Sequence, residues 1–248
     1  MNLSDEMFKE GFTLSETKDF SNPTTQLFAS PADEVPCISI SHIPLDIDEI
    51  DGEHNDTYFA YTYYIRNEGE NTVDYTWKLN LTSESMGVAE AVWVLLFTDG
   101  ELRIYAKENL ATGREEALPG FGNNRMGYGN LQLRELAPDS DQFEVVATQG
   151  KRVYWRVIPD AFMSETNIAE GTQRNVEPQE VHKYTVVLYL EGDDPDATDE
   201  IIGGHAGVEM KFRLNSEDEI TESDGVLKSF FERIFAYDRF PYEIPSII

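Results

Sequence analysis

The residues best placed to do chemistry lie in one stretch, 189–204, which reads YLEGDDPDATDEIIGG. Six acids stand there between an alternating apolar run and a pair of glycines. Asp193, Asp194, Asp196, Asp199 and Glu200 supply enough oxygens for calcium, which takes about six to eight at flexible geometry. Their spacing lacks the Asp-x-Asp-x-Asp-Gly pattern with its terminal Glu. The same letters also spell a capped connection. Asp194 before Pro195 suits a helix N-cap, acids in the first turn suit the helix dipole, and Gly203 with Gly204 ends the turn. The spacing favours this capped crossover from one sheet to another, with a calcium loop as the alternative. No other cofactor is expected.

Catalytic patterns are sparse. The four histidines, His42, His54, His182 and His205, form no His-Glu-x-x-His zinc motif. The chain has no Gly-x-Ser-x-Gly elbow and no glycine-rich phosphate loop. His182 and His205 flank the acidic stretch and would meet only if their strands were neighbours. The 47 acids make some close carboxylate pair inevitable, so a pair alone is no sign of glycoside hydrolysis. The sequence therefore reads as non-enzymatic. Cys37 is the sole cysteine, which rules out an internal disulfide and reads as a small buried hydrophobe.

Charge sets the class of partner. The 248 residues carry a net charge of −28, a field that repels nucleic-acid phosphates and anionic lipid surfaces. With 40% hydrophobic and 12% aromatic residues the chain is still expected to fold around a core. No apolar run is long enough to span a membrane. The first residues lack the basic and apolar regions of a signal peptide, so an exported protein would have lost one, and cytoplasmic residence is the alternative.

Strand periodicity positions these residues. A polar N-terminal arm is expected over 1–35, with a strand carrying Ile38 and Ile40 on one face. Residues 58–65 are aromatic on both faces, and a hairpin-like RNEGEN turn leads to a strand with Val73, Tyr75, Trp77, Leu79 and Leu81 at period two. Further strands are expected at 91–97, 102–106, 143–148, 153–158, 181–190 and 207–214. Residues 108–141 read as an irregular insertion, and 159–179 as a connection with a helical turn near 161–164. Val226, Leu227, Phe230, Phe231, Ile234 and Phe235 form one stripe of an amphipathic helix, ended by Pro241. The expected fold is all-β: an antiparallel β-sandwich of jelly-roll or immunoglobulin-like type over 36–220, with a C-terminal amphipathic helix in 221–248.

The aromatic surplus has two readings. Tyr58, Tyr61, Tyr63, Tyr64, Tyr75, Trp77 and Trp93 are either sandwich core, which is favoured, or a platform for stacking sugars. The face with Tyr58 and Tyr64 needs something to cover it.

The "VDYTWKLNL" strand and the later "YTVVLYLEGDDPD…IIGG…GVEMKFRL" pair resemble the TasA/camelysin group of bacterial surface proteins, above all clostridial-type relatives. The resemblance covers roughly 58–214 as a style of sequence. It implies a jelly-roll-like sandwich, export, and assembly into biofilm-matrix fibres. No zinc motif stands here to carry over the protease label given to some relatives. The expectation is a secreted or cell-surface structural protein that self-associates, in contact with peptidoglycan or polysaccharide. Ile38, Ile40, Tyr58, Tyr64, Phe230, Phe231, Ile234 and Phe235 are its candidate partner-binding residues. A carbohydrate- or calcium-binding sandwich is the alternative.

Overall fold

The computed structural model describes residues 1–32, 35–108, 118–122, 132–150 and 152–215. The first strands are β1 (Asn2–Leu3), β2 (Phe12–Ser15), β3 (Cys37–Ile38), β4 (Gly52–Glu53) and β5 (Phe59–Asn67). Next come β6 (Val73–Glu84), β7 (Val92–Thr98), β8 (Glu101–Ala106), β9 (Leu118–Gly122) and β10 (Phe143–Gln149). The last are β11 (Arg152–Val157), β12 (Asp160–Ala161), β13 (Asn167–Val176), β14 (Val181–Glu191) and β15 (Ala206–Leu214). Two short helices, α1 (Asp5–Lys9) and α2 (Val88–Ala91), accompany them.

Two sheets face each other. One has the order β1-β15-β6-β13, and the larger has β12-β8-β7-β14-β5-β2, with β3 added beside β14 and β4 beside β5. A small third sheet, β10-β11-β9, stands apart from this pairing. The described fold is thus mostly β, built from packed, chiefly antiparallel sheets. Three two-residue pairings are parallel: β1 with β15, β3 with β14 and β12 with β8. They need no helical crossover, because each joins segments separated by long stretches of chain.

The larger sheet is buried on both faces. Toward the smaller sheet, Tyr63, Tyr75, Tyr184 and Phe212 interlock, with Tyr63 stacked on Tyr184 at 5.7 Å and Phe212 edge-on to Tyr184 at 5.3 Å. On its other face, Trp93, Leu95, Phe97, Val187 and Tyr189 pack under Ile40, Ile43 and Ile47, and under Leu133, Phe143 and Val157. This second cover explains why β5, β7 and β14 are near-continuously apolar rather than alternating. Each large side chain so buried contributes about 2 kcal/mol.

Several expectations give way. RNEGEN is no hairpin: β5 lies in the larger sheet and β6 in the smaller, so this link crosses between them. Buried Asn67 fixes the crossing, donating to the Asn71 and Val176 carbonyls and accepting from Gly69 N at 3.0 Å. Gly69 lies against the Glu10 carbonyl too closely for any Cβ. The polar arm is not loose, since Met7, Phe12 and Leu14 are fully buried and the Met1 amine donates to the Leu27 carbonyl at 2.7 Å. Ser4 caps α1 by accepting from Met7 N. The connection 159–179 contains the ten-residue strand β13, and the insertion contains β9 and a 3-10 turn at Gln132–Leu136. The expected C-terminal helix, with Phe230, Phe231, Ile234 and Phe235, lies outside the described residues.

Candidate functional site

The acidic stretch does carry the chain from one sheet to the other, from β14 to β15. At its root β14 turns a carboxylate inward. Glu191 is fully buried and accepts from Ile40 N at 2.8 Å, Asp193 N at 3.1 Å and the Tyr189 hydroxyl at 3.2 Å. Burial pushes its carboxyl up to about 7, against the pull of the backbone hydrogen bonds. Asp194 follows it inside, accepting from Trp93 Nε1 and from Asp196 N, both at 2.8 Å. Burial also raises Asp194, with its bond from Trp93 opposing.

The cap differs from expectation. Asp194 closes a tight turn rather than capping a helix, because its carboxylate is taken by Trp93. The helical element is a single 3-10 turn, Asp199–Ile201, capped by Thr198, whose hydroxyl accepts from Glu200 N. Gly204 passes so close to Val88 that a Cβ would lie 2.3 Å from Val88 Cγ2. Asp193, Asp199 and Glu200 are exposed, while Asp194 points inward, so the five proposed calcium ligands do not converge. Among the described residues, no three or more His, Cys, Asp or Glu side chains are grouped to hold a metal ion.

Beside this loop lies a cleft of about 300 Å³. Val35, Cys37, Val88, Leu190, Ile201 and Ile202 line it, together with the polar Thr198 and Asp199. Cys37 is exposed there rather than buried, because β3 is an edge pairing of only two residues. Its thiol is pushed up by partial burial and by the nearby Glu191 charge, which makes it a poor nucleophile. Glu191 was legible in the sequence only through parity, since it shares a strand face with Val187 and Tyr189.

Each histidine has a local partner. His182 Nδ1 lies 2.7 Å from Asp99, at the β7–β8 turn. His205 Nδ1 lies 2.7 Å from the Ser85 hydroxyl, which also accepts from His205 N. His182 opens β14 and His205 precedes β15, so the two sit at opposite ends of the sandwich and do not meet. His54 bridges the Gly52 and Ile47 carbonyls, and His42 stays beside the Ser39 carbonyl.

The aromatic set is core, the reading favoured from the sequence, and not the alternative sugar platform. Tyr58, Tyr61, Tyr63, Tyr64, Tyr75, Trp77 and Trp93 are all buried, so none presents a face for a sugar. Of the proposed partner-binding residues, Ile40, Tyr58 and Tyr64 are likewise buried, and Ile38 is half-buried beneath its own strand pairing. The cover that Tyr64 needed is the chain itself: Asp51 accepts from its hydroxyl at 2.5 Å, and Phe20 packs edge-on at 6.5 Å. No family model matches this chain, and neither the curated proteins nor the solved structures yield a match. Among the described residues no helix is long and apolar enough to cross a membrane.

Proposed function

We propose that this is a non-enzymatic structural protein of the bacterial surface that associates with copies of itself through a strand edge. The observation that carries the reading is β13, ten residues long and at the end of its sheet, with no described strand on its outer side. The Asn167 and Ile168 carbonyls accept from Ser164 N and Met163 N, and Asn175 N donates to Asp74, so the edge open to another strand is the stretch between them. Glu170, Thr172 and Arg174 are exposed along it, which keeps the edge soluble until a partner arrives. The jelly-roll-like arrangement, export and matrix role come from the resemblance to the TasA/camelysin group. A strand-donating leader is not part of this reading, because β1 and β3 already pair within their own chain. The field of a −28 chain disfavours nucleic acid as partner.

The test is light scattering and electron microscopy of concentrated protein, with proline introduced at either of two adjacent β13 positions. Successive N–H groups point to opposite sides of a strand, so Thr172→Pro and Gln173→Pro differ in which edge they block. One should stay folded and lose association, while the other damages the β6 pairing. Wild-type protein that stays monomeric at high concentration overturns the proposal.

A further inference from the structure

We propose that β13 pairs antiparallel with β13 of a second copy about a two-fold axis at Thr172, so that Glu170 of each copy meets Arg174 of the other. This rests on the self-association proposed above and adds its register, symmetry and size.

The register follows from which backbone groups face outward. Along β6, Leu81 N donates to the Thr166 carbonyl on the β13 side, whereas the Asp74 carbonyl accepts from Asn215 N on the β15 side. No residue of β6 is bulged between these points, so its odd-numbered residues bond toward β13. Trp77 and Tyr75 pair with Gly171 and Gln173, which therefore bond inward. Glu170, Thr172 and Arg174 then turn their N–H and C=O groups to the outer side. The contacts at Met163 and Asn175 close the edge beyond them and leave Thr172 at the centre of the open stretch. Antiparallel pairing about that centre matches 170 with 174, 172 with 172 and 174 with 170. Three pairs of two bonds make six in all. A slip of two residues keeps only two pairs and sets Glu170 against Thr172.

Charge selects the same register. The Glu170 carboxylate is held by Lys78 Nζ at 2.8 Å and Asn167 Nδ2 at 3.1 Å. Arg174 is exposed and has no ion-pair partner among the described residues. Opposite charges directly across a strand pair attract, and the two-fold axis makes the contact twice. Parallel, in-register pairing would instead set like charges side by side. The antiparallel contact joins the two four-stranded sheets edge to edge and uses both edges, so it closes as a dimer.

Sedimentation at high concentration tests this. Glu170→Arg or Arg174→Glu alone sets like charges opposite each other twice and should weaken dimerisation about tenfold or more. An equimolar mixture of the two restores both contacts and should recover wild-type affinity to within about threefold. In a Cys37→Ser background under mild oxidation, Thr172→Cys should form a disulfide-linked dimer, since facing Cα atoms lie about 5.5 Å apart. Glu170→Cys and Arg174→Cys should cross-link only when mixed. If a charge reversal fails to fold by circular dichroism, this cross-linking pattern decides alone. Wild-type protein that stays monomeric overturns the self-association reading and the register with it. Dimers that survive a single reversal, that mixing does not restore, or that cross-link through Glu170→Cys alone overturn the register and leave strand-edge association standing. Edge-dependent oligomers larger than a dimer overturn the two-fold symmetry.

Discussion

Two acidic segments, 46–56 and 191–200, look alike in the sequence and are neutralised differently in the fold. In the first, Asp48 meets a cation: its carboxylate lies 2.6 Å from Lys183 Nζ and accepts from the Thr185 hydroxyl at 2.7 Å. In the second, Glu191 and Asp194 are buried deeper and receive only neutral donors, from backbone amides, a tyrosine hydroxyl and an indole. A carboxylate that loses water without gaining a cation holds its proton more tightly. Both segments fasten a covering loop to the larger sheet. In the second, burial raises both carboxyls, Glu191 to about 7.

Removal of each anchor tests that difference most strongly. Glu191→Ala leaves the Ile40 and Asp193 amides and the Tyr189 hydroxyl without their acceptor, and should destabilise by about 3 kcal/mol in urea unfolding. Asp48→Ala leaves Lys183 with solvent and a backbone carbonyl, and should cost about 1–2 kcal/mol. The reverse ranking breaks the comparison.

A pH series sharpens it. Glu191 is raised from an ordinary 4.5 to about 7, so the folded protein binds this proton more tightly than the unfolded chain. Its contribution is complete below 4.5 and is lost as pH rises through about 7, a change on the order of 3 kcal/mol. The Met1 amine, lowered to about 5 by burial with Glu209 opposing, gives the opposite slope. That slope is common to wild type and Glu191→Gln, so it cancels between them. Wild type should lose more stability than Glu191→Gln between about pH 5 and pH 8. Parallel curves would show that Glu191 does not titrate in this window.

The smallest effect concerns cations. Asp194 is held under Trp93, so millimolar calcium should raise the melting temperature no more than magnesium at matched ionic strength. Asp194→Asn keeps an acceptor for the indole and should cost about 1 kcal/mol, with the calcium response unchanged. A calcium-specific rise abolished by Asp194→Asn would restore the metal-loop reading.

Much of the fold was legible because long, regularly patterned strands declare themselves: β6, β14 and β15 lie where period two placed them. β13 was not legible, because an edge strand with Glu170, Gly171, Thr172 and Arg174 at its centre has little apolar alternation to detect. Gly171 makes sense only against Trp77, whose ring leaves no room for a Cβ. The candidate site was half legible. The acidic stretch stood out, but the cleft beside it requires Val35 and Val88, distant in sequence and silent by themselves.

The sequence by itself determined the β class, the crossover at 191–204, the sign of the surface field and the apolar content of the strands, because these follow from periodicity and composition. Only the tertiary structure decided which acids are buried, which strands share a sheet, and that the aromatic surplus is core on both faces of one sheet. Those outcomes depend on which distant segments cover which surfaces, and covering, not residue type, sets the solvation of a carboxylate, a thiol or a tyrosine.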